Sequence, residues 1–87
     1  MTYVLQYSSR FDKKTLENLA KEDLRRIWSA LEQKLMTYPD LFGKPLRLTL
    51  RGYWGLRVGD YRIIYRIEKN VVRICDIGHR SEIYREK

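Results

Sequence analysis

Six side chains in the second half of the chain are of types that bind and act on phosphate: Arg57, Arg62, Arg66, Arg73, Arg80 and Tyr84. Arginine presents a planar, permanently charged fork that matches phosphate oxygens two at a time. Several such forks on adjacent strands can converge on one polyanion, so their spacing points to nucleic acid. Arg51, Trp54 and His79 lie within the same stretch. They add a further cation, an aromatic ring that could stack on a base or cap a core, and an imidazole. The imidazole titrates in the range useful for moving a proton, although a strand-end histidine can equally serve by bonding to backbone.

Other familiar chemistries are missing from the sequence. His79 is the one histidine and Cys75 the one cysteine, so no metal-ligand set and no internal disulfide can be assembled from such residues. No Ser-His-Asp arrangement is readable, and no glycine-rich loop precedes a helix. If the chain is an enzyme, arginine and tyrosine must do the chemistry, with His79 a candidate proton carrier, on a substrate that brings its own nucleophile. RNA is such a substrate, because its 2′-hydroxyl can attack the neighbouring phosphate. The protein then has to align that hydroxyl and stabilise the charge that builds on phosphorus. No metal and no cofactor are needed.

Charge distribution points the same way. The 87 residues carry a net charge of +7. Residues 1–46 hold eight Lys/Arg against six Asp/Glu, and residues 47–87 hold ten against five. Eight of those ten are arginine, a bias toward recognition over mere solubility. Hydrophobic content of 44% indicates a folded chain, and the length favours one domain over residues 1–87. No apolar run is long enough to span a membrane, and the first residues lack a signal-peptide core, so a reducing cytoplasm is expected. Cys75 reads as a small core hydrophobe.

The elements that must position these residues follow from periodicity. Tyr3, Leu5 and Tyr7 alternate in an opening strand. Ser9 and Asp12 resemble a capping box ahead of a first helix. Leu24, Ile27, Trp28, Leu31 and Leu35 mark a second, amphipathic helix, with the bend placed at Lys21-Glu22-Asp23. Tyr38-Pro39-Asp40 ends that helix, and a loop runs to Pro45. Leu46, Leu48 and Leu50 alternate as in extended chain. Three strands follow: Trp54 to Val58, Tyr61 to Glu68 and Val71 to Ile77, turning at Gly59-Asp60 and Lys69-Asn70. The reading is α+β: a two-helix hairpin on a mainly antiparallel four-stranded sheet, in the order β-α-α-β-β-β. Val4, Leu16, Leu19, Trp28, Leu31, Ile63 and Tyr65 are expected in the core, with the far face of the sheet basic.

The run LRVGDYRIIYRI from Leu56 to Ile67, followed by IGHRSEIY from Ile77 to Tyr84, closely resembles the RelE/ParE superfamily of toxins from toxin–antitoxin pairs. The resemblance is strongest from Leu46 to Tyr84. It implies a RelE-like fold and, in the RelE-like branch, a metal-independent endoribonuclease that cuts mRNA on the ribosome and inhibits translation. By position it implies catalytic roles for Arg57, Arg62, Arg80 and Tyr84, with Arg51, Trp54, Arg66 and His79 available to hold RNA. Arg57 and Arg62 would stabilise the scissile phosphate, Arg80 the leaving oxygen, and Tyr84 would stack on or orient a nucleotide. Where the family pattern has two basic residues spaced by two before the hairpin, this chain has Gly55 and Arg57, which leaves Arg51 or His79 to compensate. The implied partners are a cognate antitoxin, the ribosome with its mRNA, and operator DNA only through the antitoxin complex. The ParE-like branch implies instead a gyrase inhibitor without nuclease activity, and a basic RNA-binding module without activity is a third reading.

Overall fold

A computed structural model describes residues 3–79. Arg80 and Tyr84 lie outside the described residues. A five-stranded sheet runs in the spatial order β1-β5-β4-β3-β2. Its strands are β1 (Val4–Tyr7), β2 (Lys44–Pro45), β3 (Trp54–Val58), β4 (Tyr61–Glu68) and β5 (Val71–His79). β1 pairs parallel with β5, and the other pairs are antiparallel. The expected fold class is found, with one strand more than expected. The extra strand is β2, two residues long, too short to show any alternation.

The hairpin turns are where the sequence places them. Gly59 takes a left-handed φ of 61° between Val58 and Tyr61, the backbone that a tight two-residue turn with leading glycine requires. Lys69 takes φ 58° at the equivalent position of the β4–β5 turn.

Helices cover one face of the sheet. α1 (Lys14–Glu17) is a single turn, and the Asp12 carboxylate accepts the Lys14 N–H at its start (3.0 Å). Asp12, not Ser9, thus serves the helix start. α2 (Lys21–Ala30) begins where the bend was expected. Lys21-Glu22-Asp23 form its first turn, with Glu22 and Asp23 favourably placed against the helix dipole. The helix then continues as a π-turn over Leu31–Leu35, closed by Met36 N–H donating to the Leu31 carbonyl at 3.1 Å. Ile27, Ala30, Leu31 and Leu35 make the buried stripe. Trp28 stands about 100° round the helix from Ile27 and is 41% exposed, so it is not core. Val4 is corrected as well, because Tyr3, Leu5 and Tyr7 take the helix side of β1 and leave Val4 on the other. Leu16 and Leu19 pack at the rim, while Leu31, Ile63 and Tyr65 are fully buried.

The connection expected as a loop carries α3 (Pro39–Phe42), with proline in its first turn, and then β2. Leu48–Leu50 form a 3₁₀ turn, not extended chain. The α3–β2 segment is fastened to the core by one buried contact: the Tyr65 hydroxyl donates to the Pro39 carbonyl at 2.6 Å. Beyond β2 the outer edge of β3, Leu56 to Val58, has no strand beside it among the described residues.

A bulge decides which way β5 faces at its end. Ile64 pairs with Asp76 and Tyr65 with Ile74, so Cys75 is the extra residue. Ile74 and Ile77 therefore both enter the core despite their odd spacing, and His79 follows Ile77 onto the helix side. Cys75 itself is only partly buried, which corrects its reading as core.

Candidate functional site

Alternation along β3 and β4 sets the basic face. Leu56, Ile63 and Tyr65 point into the core, so Arg57, Arg62 and Arg66 point away from it. Arg57 and Arg62 are direct cross-strand partners in the register of the β3–β4 hairpin. Like charges placed opposite one another oppose pairing, by roughly 0.2–1 kcal/mol in a sheet.

These two arginines line a groove of about 590 Å³ along β3, where no strand pairs with Leu56 to Val58 among the described residues. Its far wall is the α3–β2 segment and the chain that follows: Phe42, Lys44, Pro45, Leu46 and Arg47. Lys34, from the π-turn, closes it from the helix layer. Gly55 and Leu56 complete the lining. Among the described residues five cations line the groove, and none of the lining residues is acidic. Lys44 pairs in register with Gly55, so a lysine stands directly across from the position that lacks a side chain.

The other half of the arginine-bearing face is electrostatically quieter. The Glu68 carboxylate bridges Arg73 (3.2 Å) and Arg66 (3.5 Å). Arg66 also lies over the Tyr53 ring, 5.6 Å from its centroid. Burial raises the Cys75 thiol above its ordinary range, partly offset by Arg66 and Arg73.

The structure thus brings together Arg57 and Arg62 and leaves Arg66 on the same face with an acidic partner. Arg51 follows the 3₁₀ turn, is exposed, and is not among the groove-lining residues. Trp54 packs against the core on the helix side. His79 also lies on that side, with the Tyr61 ring edge-on at 5.6 Å, in a second cavity lined by Thr15, Asn18 and Asp76. Gly78, not His79, is the register partner of Arg62. Neither Arg51 nor His79 stands across from Gly55; Lys44 does. Lys34, Phe42, Lys44 and Arg47 were not legible as site residues. The one available signal was the basic pair Lys44 and Arg47 flanking Pro45-Leu46 in a stretch otherwise read as loop.

The model of the ParE toxin of type II toxin–antitoxin systems matches residues 14–84. The chain belongs to the RelE/ParE toxin superfamily. Toxin RelG of Mycobacterium tuberculosis is 36% identical over 86 residues, covering 93% of this chain and 99% of that relative. Toxin RelE of the same organism is 43% identical over 53 residues, covering 59% of this chain and 55% of the relative. Among solved structures, a chain of the toxin–antitoxin complex RelBE2 from M. tuberculosis superposes with a TM-score of 0.82 at 29% identity, covering 92% of this chain and all of that one. The RelB–RelE antitoxin–toxin complex from Methanococcus jannaschii contains the same fold, at TM-score 0.67 and 21% identity, covering 91% of this chain and 94% of that one. The helix-covered mixed sheet is therefore a RelE-like toxin fold, and this chain is a toxin of a type II system.

Proposed function

We propose that this toxin is a metal-independent endoribonuclease that cuts mRNA on the ribosome and is held inactive by a cognate antitoxin. The observation that carries this reading is the cross-strand Arg57–Arg62 pair in a groove whose lining contains five cations. A scissile phosphate seated between the two guanidinium groups would gain charge as the 2′-oxygen attacks phosphorus and the bond to the 5′-oxygen breaks. Both arginines meet that charge more strongly in the transition state than in the ground state, which is what accelerates a reaction. The 2′-hydroxyl loses its proton, and the departing 5′-oxygen gains one. Arg80 is assigned to the leaving oxygen and Tyr84 to a nucleotide ring, by their places in the family pattern. Arg66 and Arg51 lie on exposed chain suited to backbone phosphates, whereas Trp54 and His79 act, on this reading, from the helix side of the sheet.

The antitoxin is supported by the toxin–antitoxin complexes among the structural neighbours. The complex would reach operator DNA through the antitoxin alone. The lone cysteine, and the lack of any helix long and apolar enough to cross a membrane among the described residues, accord with a cytoplasmic setting. A second reading, inhibition of DNA gyrase without nuclease action, is favoured by the family model matched.

Ribosomes programmed with a defined mRNA separate the two readings. Wild-type protein should produce mapped cuts, and Arg62→Ala or Arg57→Ala should slow cutting by about 10²–10³, the usual effect of removing one charge-stabilising donor. Wild-type cutting rates in both variants would exclude this site. Inhibition of gyrase supercoiling with no mRNA cleavage would establish the second reading.

A further inference from the structure

The β2 side of the groove has a composition that holding one phosphate does not require. Phe42 is 43% exposed and faces the same space as Arg57 and Arg62. Lys34 places its ammonium 5.7 Å from the Phe42 ring centroid. Lys44 is the cross-strand neighbour of Gly55, and Arg47 lines the same groove. A ring flanked by cations, in a groove without an acidic lining residue among those described, is the arrangement that single-stranded nucleic acid takes: charge along the backbone and an aromatic surface for a base. An acidic peptide would be served by the cations alone.

We propose that this side of the groove is a nucleotide subsite next to the cleavage position, in which Phe42 stacks on a base and Lys44 holds the adjoining phosphate. This rests on the RNA-cleavage reading and extends it to residues outside the family pattern. The flexible Lys34 ammonium gives way to the flat base and stays beside it. The subsite is rigid where it matters, because α3 is tied to the core through Pro39 and Tyr65.

The test uses purified toxin and ribosomes programmed with a defined mRNA, read as maximal cutting rate and half-saturating concentration. Phe42→Leu keeps apolar bulk and removes the ring; Phe42→Trp keeps a stacking surface. Phe42→Leu should raise the half-saturating concentration about 5- to 150-fold, the range that loss of one base–aromatic stack produces. The maximal rate should hold, and Phe42→Trp should restore the wild-type value. On an mRNA with an abasic nucleotide at the stacked position, wild type and Phe42→Leu should coincide. Lys44→Gln should flatten the salt dependence of the half-saturating concentration. If Phe42→Leu matches wild type on intact mRNA, or loses equally on abasic mRNA at every position flanking the cut, the subsite is refuted while the endonuclease reading stands. If the variants cut normally but bind a co-expressed antitoxin less tightly, the groove is a peptide site and the proposal fails. If the wild type cuts no programmed mRNA, both readings fall together.

Discussion

Adding one methyl group at Gly43 should loosen the whole α3–β2 segment. The backbone there, φ −91° and ψ 176°, is open to any residue, so the constraint is space alone. A Cβ on Gly43 would run into the Tyr65 hydroxyl, with the ring Cζ at 2.9 Å and the Gly55 carbonyl oxygen at 3.2 Å. Tyr65 is fully buried and cannot swing into solvent. Forcing an extra methyl into a filled site costs about 1–3 kcal/mol. Displacing the hydroxyl also breaks its 2.6 Å bond to Pro39, and a buried polar group left unsatisfied costs about 1–3 kcal/mol more. Gly43→Ala should therefore destabilise by roughly 2–6 kcal/mol, the sum of those two ranges. Tyr65→Phe removes the oxygen that the methyl meets. The two substitutions should thus be less than additive, with coupling of about 0.5–3 kcal/mol in a double-mutant cycle. Urea unfolding of the four proteins, followed by far-UV circular dichroism, measures this. Gly43→Ala as stable as wild type, or equally costly in both backgrounds, would refute the packing argument.

Leu31→Ala should cost about 2–5 kcal/mol by the same assay, because Leu31 is fully buried where α2 meets the sheet; a loss below 1 kcal/mol would mean the site collapses freely. Burial, and secondarily the charge of Asp40, raises the Tyr65 hydroxyl above its ordinary 10.0. Burial also raises Tyr7. The unfolded chain then loses these protons first, so stability is level below about pH 10 and falls above it. Tyr65→Phe should flatten that alkaline decline, and an unchanged slope would contradict the assignment. Glu68→Gln should change stability by less than about 1 kcal/mol, since its two ion pairs are substantially exposed; a larger loss in denaturant melts would show that the bridge organises the sheet.

Much of the fold follows from short-range patterns. Gly59-Asp60 and Lys69-Asn70 fix two hairpins, and alternation in β4 fixes which side its arginines take. The Arg57–Arg62 pairing follows from those facts alone. Three features escaped because distant contacts produce them. Trp28 shares the spacing of the apolar stripe, but the sheet takes the side centred between Ile27 and Leu31. His79 changes sides because of the bulge at Cys75, and no glycine or proline next to Cys75 marks that the strand slips by one residue there. Lys44 and Phe42 join the site because Tyr65, more than twenty residues away, holds α3 in place. The lysine opposite Gly55 comes from a strand of two residues, below the length at which any periodic signal exists.

The short β2 has a further consequence, for solubility. Among the described residues no strand pairs with Leu56 to Val58, and an unpaired strand edge is a template on which a second copy of the same chain could build. Here that edge carries Arg57 and is flanked by Lys44 and Arg47. Two copies approaching edge to edge would bring these cations together, and the repulsion would act over about 10 Å at 0.1 M salt. A strand with acidic side chains would meet attraction at the same place. The cations proposed to meet RNA would therefore also oppose self-association at this edge and favour a partner strand of opposite charge.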